Sequence, residues 1–424
     1  MIFTHTQTVS LLDKFIQVRN QTLRICQPLK PEDTVVQPVV DVSPPKWHMG
    51  HTTWFFEQFV LATFYPDYQV YHPRFAYLFN SYYEGAGERV NRSYRGNMTR
   101  PSVEEIRDYR KYVDIHMQEL LGEQDLLPDH ALEVVQLGLQ HEQQHQELLL
   151  YDIKYILGHN PLFPEYMSPP EALMQLETPE LDEQYLHIDA DVYEVGHEGN
   201  SFHFDNEEGH HRVFLESAKV MDRLITNGEY IEFIEDGGYE KFQYWFQEAW
   251  NWVNEHKLDS PFHWFKIEGE WHQFTLYGLQ KVDPYAPMIH ASFYEADAFA
   301  KWKGKRLLTE FEWEVACHLH SPAIPEEANF VESGIYQPVP RQKGNYQFYG
   351  DVWEWTNSAY LPYPNFQVVE GPLGEYNGKF MVNQMVLRGG SCATPRDHIR
   401  LTYRNFFHPH LQWLFAGIRI AENT

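Results

Sequence analysis

Cysteine is scarce in this 424-residue chain: only Cys26, Cys317 and Cys392 occur, widely separated and in no C-x-x-C pair. A disulfide framework and a cysteine-built metal site are therefore excluded, and a reducing, cytoplasmic compartment is expected. Basic residues are few as well. Lys+Arg number 33 against Asp+Glu 60, a net charge of -27, and such a field repels phosphate backbones and anionic membranes. Nucleic acid is not an expected partner. No uncharged run reaches membrane-spanning length, and Met1–Gln7 lacks a basic segment followed by a sustained apolar one, so neither a membrane span nor a secretory leader is expected. Repeats and low-complexity tracts are missing too.

Apolar residues are plentiful. They make up 43% of the chain, with Trp 12, Tyr 27 and Phe 28, enough to fill two cores without staples, and two domains are the expectation at this length. Apolar positions at helical spacing predict helices over Thr8–Cys26, Thr52–Phe64, Val103–Leu121 and Asp129–Gly158, the third opened by a Ser102…Glu105 capping box. These define a helical bundle over residues 1–165. Prolines 169, 170 and 179 mark a linker over 166–184. Residues 185–424 then read as a mixed, loop-rich domain. Short apolar segments such as Leu186–Ile188, Val192–Gly196 and His211–Leu215 alternate with helices at Asn227–Glu235 and Ala291–Trp302. The fold class is α+β.

The run Gln140-His141-Glu142-Gln143-Gln144-His145 lies inside the longest predicted helix. Histidines four apart project from one helical face, one turn from each other, and both imidazoles can reach a single metal ion. They continue the stripe of Leu148 and Asp152 and so face the bundle interior, where an imidazole needs a metal or a hydrogen bond. A bare H-x-x-x-H is met equally well by a polar surface. No further histidine follows in the extended zinc-protease spacing, which weakens a protease reading. His51, at the start of the second predicted helix and one turn after His48, is the best candidate for a third nitrogen ligand. Three histidines suit Fe(II) or zinc, and spacing alone leaves that choice open. Between the second and third helices, Arg89, Arg92, Arg95 and Arg100 gather in a glycine-containing loop, a local basic cluster suited to binding a carboxylate.

The second half resembles the formylglycine-generating-enzyme (sulfatase-modifying factor) domain, a C-type-lectin-like fold. The motifs that carry the likeness are Lys303–Glu314, Gly350-Asp351-Val352-Trp353-Glu354-Trp355-Thr356, Leu387-Arg388-Gly389-Gly390-Ser391-Cys392 and Phe415–Arg419. The copper-binding cysteine pair of formylglycine-generating enzymes is not evident, because Cys392 has no near partner. Joined to a helical bundle of the DinB type carrying H-E-x-x-H-Q-E, the whole chain resembles the ergothioneine-biosynthesis sulfoxide synthases. That resemblance implies Fe(II) held by His51, His141 and His145, and substrates N-alpha-trimethylhistidine, cysteine and O2.

It further implies that Gln144 contacts the substrate imidazole and that Arg404-Asn405-Phe406-Phe407 is a substrate-binding motif in which Asn405 meets the betaine carboxylate. Phe407 stands where users of gamma-glutamylcysteine carry an aspartate. With Tyr82-Tyr83 in the arginine loop, this implies the subgroup that uses free cysteine. Tyr82 or Tyr83 is then the proton donor, Arg92 and Arg95 bind the cysteine carboxylate, and Phe406, Phe407 and Trp413 are available to hold the trimethylammonium group through cation–π attraction. The rival readings are a gamma-glutamylcysteine, unmethylated-histidine or selenium-donor synthase, and a non-catalytic lectin-like binding module.

Overall fold

The computed structural model describes residues 10–81, 83, 87–174, 182–342, 344–368, 374 and 377–424. They form two units, Met1–His159 and Asn160–Thr424. Four long helical segments build the first. Helix α1 spans Leu11–Cys26, with the Ser10 hydroxyl accepting from the Asp13 amide. Helix α2 spans Pro45–Phe56 and runs through a π-helical turn at Glu57–Leu61 into the short α3, Ala62–Phe64. Helix α4 is Phe75–Phe79, and its last three residues fall at the start of the stretch 77–101 read as loop. Helix α5 spans Val103–Gly122 behind the Ser102/Glu105 capping box, and α6 spans Asp129–Gly158.

The start of α2 differs from the expectation. Pro44 and Pro45 do not precede a helix beginning at Thr52; they are its cap and first residue. Proline is favoured at the first helical position because its φ is preset and its missing amide hydrogen has no partner there anyway. The helix thus begins seven residues early. His51 lies well inside α2, and not at its start.

Phe15, Val18 and Ile25 from α1, Trp54, Phe55 and Phe56 from α2, Ile106, Val113 and Met117 from α5, and Val135, Leu139, Leu149 and Ile153 from α6 fill the core of this unit. Helices α2 and α6 approach closely. A Cβ on Gly138 would sit 2.7 Å from the Phe56 ring and 2.9 Å from the Phe55 ring, so only glycine lets the two helices meet one turn before His141. A buried polar cluster ties the remaining helices to α6. Arg19 of α1 donates to Glu142 (2.8 Å) and to Asp114 (2.6 Å), Thr22 donates to Glu142 (2.6 Å), and Arg110 of α5 donates to the same carboxylate. Two guanidiniums and one hydroxyl thus satisfy Glu142, and a buried carboxylate requires such partners.

The second unit is sheet-rich. One four-stranded sheet runs in spatial order Tyr185–Ile188, Ala218–Met221, Ile420–Asn423, Arg306–Leu307, with the chain's last strand between the early ones. A second has the order Asn405–Phe407, Met385–Arg388, Trp353–Ala359, Ala416–Gly417, and a three-stranded meander covers Trp264–Lys281. The proline-rich start packs on this meander and is not free of it: the Tyr166 and Met167 amides both donate to the Leu276 carbonyl, and Phe163 meets Phe265 edge-on at 5.0 Å. Three helices open with capping boxes, Thr226/Glu229, Ser292/Glu295 and Thr309/Glu312.

The sequence motifs of this unit are its scaffold. Arg419 forks onto Glu354 (2.6 and 3.0 Å), and Arg388 pairs with Glu314, both pairs buried. Gly389 and Gly390 have φ of 98° and 82°, and a Cβ on Gly389 would lie 2.4 Å from the Phe348 carbonyl oxygen, so the Arg-Gly-Gly turn accepts no side chain.

Candidate metal centre

The helix crossing at Gly138 brings α2 and α6 together, and the side chains one turn further on meet across it. One ring nitrogen from each of His51, His141 and His145 lies within 4.8 Å of the others, among the described residues the one such cluster of potential metal ligands. His51 and His141 are buried and His145 partly so, and their ring centroids stand 4.6 to 4.8 Å apart. His51 Nε2 and His141 Nε2 are 3.1 Å apart. That is the separation expected of adjacent ligands on an ion with bonds of ~2.1 Å, so the donor set fits a metal.

Each ring is oriented by its neighbours. His51 Nδ1 donates to the Phe79 carbonyl at 2.5 Å, and the ring is stacked between Trp47 (4.6 Å, 12°) and Trp54 (5.7 Å, 21°), four residues before it and three after it on α2. His145 Nδ1 lies 2.8 Å from His48 Nδ1, whose Nε2 is 2.9 Å from Asp152 Oδ2. His48, Asp152 and the two tryptophans are functional candidates that spacing did not single out, although Trp47 and Trp54 are at helical offsets from His51.

The electrostatics favour neutral imidazoles. Burial lowers all three ring pKa values, that of His141 to about 3, and for His51 and His145 the neighbouring histidines add to the effect. Neutral nitrogens are what a cation requires. Glu142, next to His141, turns away to Arg19 and Arg110 and is occupied by them. It is thus not placed as the general base of a zinc protease. The three cysteines are buried and form no disulfide, and burial pushes the Cys26 thiol up to about 12.

Arg95 lies against this cluster. Its guanidinium sits 3.4 Å above the Trp47 ring, on the indole that stacks on His51, and donates to Ser43 Oγ (3.0 Å) and Ser81 Oγ (2.9 Å). It is 4% exposed, and among the described residues no carboxylate pairs with it. Burial, helped by Arg92, brings it down to about 9. Arg92 itself is exposed and donates to the Asp41 carbonyl at 2.9 Å. Tyr83 is buried, its ring 6.4 Å from His141 and 5.2 Å from Phe59. Tyr82 lies outside the described residues. Gln144, on α6 beside His145, is half-buried.

Residues 174–424, more than half of the chain, match the family described as sulfatase-modifying factor enzyme 1-like domain. The chain belongs to this family. Residues 14–149 match the DinB superfamily. Among curated relatives, the chain is similar to a hercynine oxygenase of Mycolicibacterium smegmatis, 27% identical over 97% of this chain and 98% of that protein. The hercynine oxygenase of Mycolicibacterium thermoresistibile is 29% identical over 74% of each chain. That of Mycobacterium tuberculosis is 32% identical over 51% of this chain and 55% of the relative.

Within the sulfatase-modifying factor-like unit, Asn405, Phe406 and Phe407 form an edge strand paired with Met385–Leu387. Neighbouring strand residues point to opposite faces. Phe406 accordingly stacks on Tyr360 at 4.1 Å, whereas Phe407 meets Trp413 edge-on at 5.2 Å. Of the three rings expected to be available for a cation, Phe407 and Trp413 are thus in contact with each other, while Phe406 packs on Tyr360. Asn405 Oδ1 accepts from the Phe406 amide at 2.9 Å, and Arg404 is buried against Glu310.

Proposed function

We propose that this protein is a non-haem Fe(II)- and O2-dependent sulfoxide synthase of ergothioneine biosynthesis, joining the sulfur of cysteine to imidazole C2 of N-alpha-trimethylhistidine (hercynine). The observation that carries the reading is the convergence of three imidazoles from α2 and α6, His51 and His141 buried and His145 partly so, with burial lowering the pKa of all three rings. Similarity to proteins named hercynine oxygenase along nearly the full chain supports it. His51, His141 and His145 would hold the iron, and bound iron would supply oxidation by dioxygen. One O2 per turnover is consumed; one oxygen atom ends on sulfur and the other leaves as water, taking the thiol hydrogen and the C2 hydrogen.

The chain's own residues would bind, orient and supply a proton. Arg95 is a buried cation stacked on Trp47 beside the histidines, with two serine hydroxyls and no carboxylate paired to it among the described residues, which suits the carboxylate of an amino-acid sulfur donor. Loss of such a charge-assisted pair costs ~1.5–3 kcal/mol, so Arg95→Gln is expected to raise the KM for cysteine roughly 10- to 100-fold. Arg92→Ala, at an exposed position, is expected to raise it less. Steady-state kinetics at saturating hercynine checks both.

Tyr83 would donate its Oη proton during dioxygen reduction, a step that favours C–S bond formation over simple oxidation of the thiol. Tyr83→Phe is expected to lower sulfoxide formation on the order of 10²-fold and to divert cysteine to its sulfinate, read as a product ratio by mass spectrometry. Unchanged sulfoxide turnover without sulfinate would remove Tyr83 from this role. Tyr82 is proposed as a second tyrosine there, Gln144 as a contact to the substrate imidazole, and Asn405, Phe406 and Phe407 as substrate-binding residues, all on the resemblance to the sulfoxide synthases.

The direct test is incubation of the Fe(II) protein, in air, with cysteine or gamma-glutamylcysteine and with hercynine or histidine. The expected product is the cysteine–hercynine sulfoxide. A product from histidine in preference to hercynine, or from gamma-glutamylcysteine in preference to cysteine, would overturn the substrate assignment.

A further inference from the structure

The hydrogen-bond chain behind His145 has a direction, and the direction follows from chemistry. A carboxylate only accepts. At 2.9 Å from Asp152 Oδ2, His48 Nε2 must therefore carry the proton, and in neutral His48 this leaves Nδ1 as an acceptor. That Nδ1 is 2.8 Å from His145 Nδ1, so the His145 proton sits on Nδ1 and the lone pair is left on Nε2. Across the cluster the Phe79 carbonyl imposes the same outcome on His51, by accepting from its Nδ1. Which nitrogen of a histidine binds a metal is set by the hydrogen bond its other nitrogen makes.

We infer that His48 and Asp152 are positioning residues that lock His145 in the tautomer presenting Nε2 to the metal. Both are 2% exposed, so water does not replace either as a partner. Their placement follows from the helices: His48 is three residues before His51 on α2, and Asp152 is seven residues after His145 on α6, on the same face. Asp152 Oδ2 also accepts from the Ser43 amide at 2.8 Å, just ahead of the Pro44-Pro45 start of α2. One carboxylate thereby anchors the helix that supplies His51 and, through His48, orients the ligand supplied by α6. The usual arrangement sets a carboxylate directly on the ligating histidine; here a second imidazole is interposed.

The inference rests on the reading of His51, His141 and His145 as metal ligands, and its test separates the two. Co(II) is titrated into metal-free wild-type protein and into His48→Phe, Asp152→Leu and Asp152→Asn, with the dissociation constant and visible absorption followed and apo-protein melting as the fold check. His48→Phe keeps the ring's bulk beside Trp47 and removes both hydrogen bonds. It is expected to weaken Co(II) binding roughly 10- to 100-fold and to change the Co(II) spectrum, with apo melting close to wild type. Asp152→Leu is expected to match it, whereas in Asp152→Asn the amide oxygen can still accept and affinity is largely rescued.

Wild-type protein that binds no Co(II) would sink the metal reading and the lock with it. Wild-type binding with unchanged affinity in His48→Phe or Asp152→Leu would sink the lock alone. Should both variants misfold, long-range 1H–15N correlation spectra of the metal-free wild-type protein decide: a protonated Nδ1 and unprotonated Nε2 on His145 are expected, and the reverse assignment overturns the proposal.

Discussion

His141→Ala is expected to abolish stoichiometric iron binding and to take sulfoxide synthesis below detection, a loss larger than the roughly 10- to 100-fold that removal of a ligand's hydrogen-bond partner costs. The reason is geometric. His141 Nε2 lies 3.1 Å from His51 Nε2 and belongs to the only described cluster in which three ligand atoms converge. Its neighbour Glu142 cannot take its place, because Arg19, Arg110 and Thr22 hold that carboxylate on the other side of α6. His51→Ala and His145→Ala are expected to behave alike. Metal analysis after anaerobic reconstitution, with melting of the apo-proteins as a control, separates a lost ligand from a lost fold. A His141→Ala protein that retains one iron per chain and full turnover would remove this residue from the site.

Glu142→Ala is expected to be the most destabilising single change in the first unit. It would leave Arg110, 1% exposed, with no carboxylate paired to it among the described residues, and Arg19, 2% exposed, with Asp114 as its remaining one. Breaking a buried ion pair by removing one partner costs ~3–5 kcal/mol, and here two cations share the partner. At that size the expected fall in melting temperature is on the order of 10 °C. The same cluster gives a pH dependence. Burial alone would raise the Glu142 carboxyl, but Arg110, Arg19 and Thr22 overcome it and hold the group down to about 2. A depressed folded-state value means the contribution is complete above the unfolded carboxyl value of ~4.3 and is lost as pH falls from there through about 2. Denaturant melts of wild type and Glu142→Gln between pH 7 and 2.5 should therefore converge towards the acid end. A gap that stays constant with pH would contradict the assignment.

Much of this architecture is legible in the residues, for reasons that can be named. Helices α5 and α6 lie where capping chemistry and apolar periodicity put them: the Ser102/Glu105 box opens one, and Gly158 closes the other. Helix α2 was not, because consecutive prolines read equally as a connection and as a helix start, and only packing of the first two turns decides between them. The histidine trio is suggested by helical spacing for His141 and His145, and for His51 by its place near the predicted start of the second helix and by the resemblance. The chain from His48 to Asp152 was invisible, since it joins residues 104 apart in sequence and depends on which way two imidazoles turn. The motif holding Gly389 and Gly390 was legible through the resemblance alone, and the backbone oxygen of Phe348 explains why no other residue fits at Gly389.

The proposed activity requires a redox-active cation held by one nitrogen from each of three histidines. Anaerobic titration of Fe(II) into the metal-free protein, followed by oxygen-electrode measurement with hercynine and cysteine added singly and together, tests this most directly. One iron per chain is expected, with rapid O2 uptake only when both substrates are present. Protein that takes up no iron, or that consumes no oxygen with both substrates present, would contradict it.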